Sequence, residues 1–205
     1  MLKKLDKIHH IIPHVLKNIG KDVGTIELVK IIYLIDVQYF KLFGEKMTNL
    51  GYIRHKKGPY TREITNAVAD LEEIDDCPLS IKHIFSKGNS PFIKKAHKFK
   101  DSNFKIDLSN IERFIINSVL EKIKSLDVRQ LEKESYKTKP MLDILGKEKK
   151  AKIFLYYSPL DFSLIERDSF MQEWESNKDK TKEDEEYNKF LECEKEEMRE
   201  VFSSS

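Results

Sequence analysis

An almost continuous apolar stretch at residues 28–40 constrains the fold of this chain more than any other feature of its sequence. Lys30, Asp36 and Gln38 are its only strongly polar members. A helix that is hydrophobic on every side belongs in the interior of a protein. With its amphipathic ends the helix has roughly 16–18 residues, and two charged residues interrupt it, so it makes a poor transmembrane span. We therefore expect a buried central helix against which the other helices pack.

The residue types predict where this helix begins and ends and which conformation the segment after it adopts. The hydroxyl of Thr25 can accept a hydrogen bond from a free backbone N–H, which makes Thr25 a candidate N-terminal cap. Gly44 occurs where a left-handed C-terminal cap is needed. Residues 51–57 predict a short extended segment, a hairpin or the end of a short helix. Gly58 and Pro59 then form a rigid break before the next helix.

Composition favours a mainly α fold for the whole chain. The chain has 205 residues, of which 40% are hydrophobic and 35% charged, and it is long enough to bury a sizeable core. Its 7 glycines and 6 prolines are fewer than the turns of an all-β fold require. Cys77 and Cys193 are far apart, and the N-terminus lacks the apolar core of a signal peptide. We therefore expect a cytoplasmic protein without a disulfide framework.

Helical periodicity and capping residues predict further helices. Residues 2–19 form one helix, which Pro13 kinks or divides, and Thr61 can cap another. Capping boxes open two more helices, at residues 109–112 and at residues 127–130.

The same patterns assign side chains to the core. In the helix after residue 109, the spacing places Ile111 and Phe114 inward. Residues 141–145 predict a short apolar continuation of the preceding helix before a lysine-rich loop. Residues 153–157 predict either a strand or a segment that packs on the core.

Residues 81–105 are the best hairpin candidate, with a turn at residues 88–91. Seven lysines and one acidic residue occur between Ile81 and Lys105. A helix followed by a basic hairpin suggests a winged-helix DNA-binding domain, in which the hairpin follows the phosphates. A solvated edge hairpin, whose lysines prevent aggregation, explains the same pattern and is the favoured reading.

The net charge of +2 hides a strong asymmetry between the body and the C-terminal part of the chain. Residues 166–205 contain fourteen acidic and seven basic residues, a net charge of −7, so the remainder carries +9. We expect a helical domain at residues 1–150 and an acidic, helical C-terminal extension at residues 151–205. The extension either docks on the basic body of the same chain, offers a face to a partner, or is simply a solvated surface.

No sequence motif for catalysis or phosphate binding is present. Asp36 is the one carboxylate expected in the core, where an ion without a partner would be costly. Arg54, His55 or Lys57 can supply that partner. A catalytic role for Asp36 lacks companion residues, so we expect no enzyme activity.

Three histidines, His9, His10 and His14, fall within the first predicted helix. His10 and His14 share a helix face, but no nearby acidic residue or cysteine completes a set of metal ligands. We therefore expect ordinary helix histidines, and no metal or other cofactor.

A family resemblance emerges from the central segment. Lys30, Tyr33 and Asp36 on the helix, Gly44 after it, and an aromatic and basic segment that ends in Gly58-Pro59 resemble the Panacea domain, also called the SocA-like antitoxin domain. The resemblance extends over about residues 5–146 of this chain.

Two positions in the later part of this segment depart from the family pattern. The family often has Ser-His where this chain has Ser135-Tyr136, and Pro-Trp where it has Pro140-Met141. A function that depends on the histidine is therefore in doubt for this chain.

The resemblance implies an antitoxin that neutralises a cognate protein toxin by direct contact in a toxin–antitoxin system. The toxin gene is expected next to this one, and members of the family also occur in phages or prophages. One branch of the family acts as a proteolytic adaptor that delivers its toxin to a protease. A nucleic-acid-binding regulator that uses the basic hairpin is the alternative to these roles.

The candidate partner contacts combine aromatic and basic residues with the acidic extension. They are Arg54, His55, Lys56, Lys57, Tyr60, Lys94, Lys95 and Lys98. Lys30, Tyr33, Asp36, Gly44, Gly58 and Pro59 are instead expected to be structural, and no membrane partner is expected.

Overall fold

The structure is a computed structural model that describes residues 5–85, 93–100 and 102–169. The chain divides into two compact units, Met1–Glu166 and Arg167–Ser205, and the first of these is described below. The predicted charged helix in the acidic extension lies outside the described residues. The expected domain boundary at residue 150 remains a prediction.

The first unit is mainly α-helical, as the composition predicts. Its described α-helices are α1 Lys7–Ile19, α2 Thr25–Phe43, α3 Glu63–Glu72, α4 Asn110–Ile123, α5 Val128–Tyr136 and α6 Lys139–Ala151. A single 3-10 turn, Phe162–Leu164, follows α6. Among the described residues, no helix combines the length and the apolarity that spanning a bilayer requires.

Two small antiparallel sheets accompany the helices. The strands are β1 Val23–Gly24, β2 Ile53–His55, β3 Gly58–Tyr60, β4 Leu79–Phe85 and β5 Ile93–Phe99. Strands β4 and β5 form the predicted basic hairpin, and β1 joins it in the order β1-β5-β4. Strands β2 and β3 form a second hairpin, which selects one of the three conformations predicted for residues 51–57.

Ten residues of helix α2, all between Glu27 and Val37, are buried. The helix packs against α3, α4 and α5 and against strands β1, β3 and β5. Gly44 caps its C-terminus in the left-handed conformation, with φ of 74°, as predicted. The predicted N-terminal cap is wrong, because Gly24 occupies that position and Thr25 instead forms a hydrogen bond with His97 Nε2 at 3.0 Å.

Several local predictions about the other helices are also corrected. Helix α1 runs without a break through Pro13, and α6 continues through Gly146 to Ala151 where a loop was predicted. Ile111 and Phe114 are half exposed rather than inward. The buried face of α4 consists of Glu112, Ile115, Ile116, Val119, Leu120 and Ile123. The other side of the helix therefore faces solvent. The two predicted capping boxes, at Ser109 and at Asp127, are confirmed.

Asp36 is completely buried in α2, and its carboxylate accepts three hydrogen bonds. The backbone N–H of Thr48 donates at 2.8 Å and the hydroxyl of Tyr52 donates at 2.7 Å. The Thr48 hydroxyl donates the third bond. These donors replace Arg54, His55 and Lys57, which were wrongly predicted as partners. Asp36 therefore anchors the segment that leads from α2 to β2.

Two further polar side chains of α2 anchor other parts of the chain. The Tyr33 hydroxyl is 2.6 Å from the hydroxyl of Thr138, the residue that precedes α6. Lys30 Nζ donates to the carbonyl oxygen of Pro59 in β3 at 2.6 Å. Burial lowers the pKa of the Lys30 ammonium to about 8 and raises the pKa of Tyr33. These contacts satisfy groups that would otherwise be desolvated without a partner.

The first prediction concerns the hydrogen bonds of Asp36. The Asp36→Ala substitution leaves the Thr48 N–H and the buried Tyr52 hydroxyl without an acceptor, at a cost of about 1–3 kcal/mol for each group. We expect the free energy of unfolding, measured by urea denaturation, to fall by about 3 kcal/mol or more. The isosteric Asp36→Asn control should lose less, and equal losses for both variants would contradict this role.

The second prediction concerns the pH dependence of stability. Burial raises the pKa of the Asp36 carboxyl to about 6, above its ordinary 3.8. The folded state therefore binds a proton more tightly than the unfolded state. This carboxyl stabilises the fold fully below about pH 4, and the contribution is lost as the pH rises through 6.

The measurement is the difference in unfolding free energy between the wild type and Asp36→Asn, which cancels the other titrating groups. We expect this difference to grow in favour of the wild type by about 2–3 kcal/mol as the pH falls from about 7 to about 4. A difference that stays constant over this range would contradict the raised pKa.

Candidate partner-binding surface

The β2–β3 hairpin is held tightly against the helices at Gly58. This residue has φ of +89°, which favours glycine, and a Cβ atom there would lie 3.1 Å from Ser135 Oγ and 3.2 Å from Lys30 Nζ. Gly58 and Pro59 therefore belong to a strand that lies close against α2 and α5, rather than to a break between elements. The turn of the hairpin presents Lys56 and Lys57 to solvent.

The loop after α6 extends this hairpin along the free edge of β2. The N–H of Arg54 donates to the carbonyl oxygen of Ser158 at 2.8 Å, and the N–H of Tyr157 donates to the carbonyl oxygen of Arg54 at 2.7 Å. The N–H of Leu160 donates to Tyr52 O at 2.9 Å. Backbone hydrogen bonds thus fix the position of the loop.

Arg54 connects the hairpin, α5, α6 and the loop. Its side chain is buried, and its guanidinium forms a bidentate ion pair with Glu148, with Nε–Oε1 at 3.2 Å and Nη2–Oε2 at 3.3 Å. The guanidinium carbon also lies 5.5 Å from the ring centre of Tyr136 and 5.4 Å from that of Tyr156. Arg54, which was predicted as a partner contact, is therefore buried and ties the hairpin to α5, α6 and the loop, because a buried bidentate pair of this kind fixes geometry.

Five aromatic side chains of the hairpin and the loop form two groups, and we call them together the aromatic patch: His55, Tyr60 and Tyr157 in one group, and Phe154 and Tyr156 in the other. The ring of His55 lies 5.1 Å from that of Tyr60 and 6.3 Å from that of Tyr157. Phe154 and Tyr156 stack at 5.3 Å with their planes only 3° apart. Residues 153–157 form no strand, and Phe154 and Tyr157 are each 71% exposed, but Leu155 packs against the core, as one of the two expectations for this run had it.

Tyr157 adopts a backbone conformation that is unfavourable for its residue type. Its φ of 67° lies in the left-handed region, which a bulky side chain enters at a cost of roughly 1–2 kcal/mol. The hydrogen bond from its N–H to Arg54 O holds it there. Backbone strain of this kind clusters at ligand-binding and active sites.

The remaining candidate contacts lie on β5, in the other sheet. Lys95 forms an ion pair with Glu72 at 3.6 Å, and Lys98 is exposed. Lys94 also belongs to β5. In the neighbouring strand β4, Lys82 pairs with Asp22 at 3.0 Å. Two lysines of this hairpin therefore have carboxylate partners, which reduces the positive charge available for phosphates.

The histidines of α1 serve the fold. His9 lies 3.3 Å from Asp70, His14 lies 3.1 Å from Asn117, and His10 accepts a hydrogen bond from the N–H of Asp107. Within the described ranges, no group of three or more His, Cys, Asp or Glu side chains is arranged to hold a metal ion.

A helical scaffold that presents rigid, exposed aromatic side chains is suited to protein binding. The comparison with protein families is consistent with a protein-binding role. Residues 28–140 match the family described as Antitoxin SocA-like, Panacea domain, and the chain belongs to this family. Membership supports a general antitoxin role with a toxin as partner. No curated protein matches the chain, and no solved structure matches it either.

The matched segment is shorter than the predicted resemblance over residues 5–146. It begins within α2 and ends within the first turn of α6, so it includes His55 and Tyr60 of the aromatic patch. Phe154, Tyr156 and Tyr157 lie beyond it.

Sequence reasoning selected His55 and Tyr60 as candidate contacts but did not select Glu148, Phe154, Tyr156 or Tyr157. Glu148 lies in a lysine-rich segment and resembles any solvated charge. The apolar run at residues 153–157 was recognised, yet its periodicity carried no sign that Phe154 and Tyr157 would point outward.

The third prediction tests whether the backbone at Tyr157 is strained and whether the tyrosine ring contributes to the stability of the fold. Asparagine tolerates the left-handed conformation, so Tyr157→Asn should leave the unfolding free energy unchanged or raise it by up to about 1 kcal/mol. The control Tyr157→Val keeps a bulky, β-branched residue at this φ and should destabilise the fold. Thermal and urea unfolding would compare the two. A loss as large for Tyr157→Asn as for Tyr157→Val would show that the ring supports the fold.

Proposed function

We propose that this protein is an antitoxin that neutralises a cognate protein toxin by direct contact, with the aromatic patch as the main contact surface. The observation that carries the proposal is the exposure of Phe154 and Tyr157 on a rigid frame. An exposed group of large apolar side chains marks an interaction site on many proteins. Tyrosine is also enriched among the residues that dominate binding energy.

The frame beneath the patch reduces the entropic cost of binding. The backbone hydrogen bonds between β2 and the loop, and the Arg54–Glu148 ion pair, order the patch before a partner arrives. Ordering a flexible, rotamer-rich side chain at an interface costs about 0.5–1.5 kcal/mol, and a preordered surface avoids part of this cost. The geometry thus supports tight binding from a small contact area.

The proposal extends to the setting of the interaction. We propose that the toxin is encoded by a neighbouring gene, that the pair acts in the cytoplasm, and that the system is phage- or prophage-associated. The candidate contacts Lys94, Lys95 and Lys98 and the acidic extension remain secondary contacts under this proposal. A proteolytic adaptor would use the same contact surface and would differ in the fate of the toxin.

The fourth prediction tests neutralisation by co-expression in a heterologous bacterial host. The product of the neighbouring gene should arrest growth when expressed alone, and this protein should restore growth. The double variant Phe154→Ser/Tyr157→Asn removes the exposed rings and should lower viability by about tenfold or more, since it loses central hydrophobic contacts. Ile111→Ser, which removes an equally apolar but 49% exposed side chain on α4, is the matched control.

The amount of toxin distinguishes the two modes of neutralisation. An unchanged toxin level with restored growth supports inhibition by binding, and a falling level supports delivery to a protease. Continued toxicity with the wild-type protein present would refute the antitoxin role. Full protection by the double variant would refute the role of the patch.

A further inference from the structure

We propose that the aromatic patch binds an acidic surface of its partner. This inference rests on the proposed antitoxin function and deepens it, because it assigns a charge to the partner's contact face. Its basis is the distribution of ion-paired and solvent-facing charges around the patch.

Five exposed lysines lie next to or within a few residues of the patch along the chain, and we call them the lysine rim: Lys56, Lys57, Lys149, Lys150 and Lys152. Lys56 and Lys57 form the turn between β2 and β3, directly after His55. Lys149 and Lys150 lie in the last turn of α6, and Lys152 is its C-terminal cap, directly before Ile153. None of the five forms an ion pair with another residue of the described chain.

Two carboxylates close to the rim along the chain are paired with cations. Glu148 is buried against Arg54, and Asp143 pairs with Lys147 at 2.6 Å. Asp161 accepts only from uncharged groups of Ser163, and Glu132, which acts electrostatically on Lys30 and Tyr136, is in no ion pair of the described residues. Five rim lysines against these two carboxylates leave an excess of positive charge in solvent.

The lysines at the end of α6 also have a local role, since cations offset the partial negative charge of a helix C-terminus. That role does not extend to Lys56 and Lys57, which belong to a hairpin turn. Lysines from two separate elements thus lie near residues of the aromatic patch along the chain. A partner with an acidic face complements this charge, and an apolar side chain within that face would contact the rings.

The family comparison indicates which part of the surface is particular to this chain. The matched segment includes His55, Lys56, Lys57 and Tyr60 and ends at residue 140. The other aromatic residues of the patch and three of the rim lysines follow that point. The family segment therefore supplies the hairpin, and the loop that follows it supplies the rest of the surface.

The test measures binding kinetics between the full chain and the purified product of the neighbouring toxin gene. The triple variant Lys56→Glu/Lys57→Glu/Lys152→Glu reverses charge at the rim. The matched control Lys41→Glu/Lys105→Glu/Lys122→Glu makes the same change at three exposed lysines on other elements, none of them in an ion pair among the described residues. Circular dichroism would check that both variants fold.

Electrostatic complementarity acts mainly on the association rate, and salt screens it. We expect the rim variant to associate about tenfold or more slowly than the wild type at low salt, and the control to change by less than about threefold. The wild-type rate should also fall as salt rises from about 50 mM to about 500 mM.

Three outcomes would overturn the inference. Equal slowing of the rim variant and the control would show a general charge effect. Faster association of the rim variant would show a basic partner face. A mixed-sequence single-stranded oligonucleotide that binds the wild-type patch and displaces the toxin would assign the surface to nucleic acid. A wild-type chain that does not bind the toxin refutes the proposed antitoxin function itself. That result differs from the three outcomes above, which refute only the acidic contact face.

Discussion

The rest of the structure depends on the way a nearly all-apolar helix accommodates polar side chains in the core. Asp36, Tyr33 and Lys30 each bind a different part of the chain, namely the segment before β2, the start of α6 and the strand β3. Hydrophobic burial alone is non-directional and would tolerate several arrangements of these segments. Directional hydrogen bonds in a medium of low dielectric favour a single arrangement. Helix α2 thereby determines the position of the hairpin and of α6, and with them the position of the aromatic patch.

Features governed by local chemistry were predictable from the sequence. Gly44 and the capping boxes at Ser109 and Asp127 were found because a cap is decided within one helical turn. The β4–β5 hairpin was found from alternation around a turn. The partners of Asp36 were not, since Thr48, Tyr52 and Arg54 occur within one short segment and all can satisfy a carboxylate. Only the path of the chain around α2 selects among them.

The candidate site was harder to predict than the fold. An apolar run shows that its side chains favour removal from water, but it does not show which surface covers them. The backbone hydrogen bonds with β2 hold Tyr157 and Ser158, and no pattern within the loop encodes those bonds. Glu148 was missed for a similar reason, because its significance comes from Arg54, which is distant in sequence. His55 and Tyr60 were selected as candidates because the family resemblance includes the hairpin.

The Arg54–Glu148 pair joins residues that are 94 positions apart. During synthesis the N-terminal part of a chain emerges from the ribosome first. The β2–β3 hairpin is therefore in solution long before Glu148 and the loop that follows it, and in that interval the guanidinium of Arg54 stays hydrated. The surface of hairpin and loop is complete only when almost all of the Met1–Glu166 unit has been translated. Under the proposed function, binding of a partner through the aromatic patch therefore requires the finished domain.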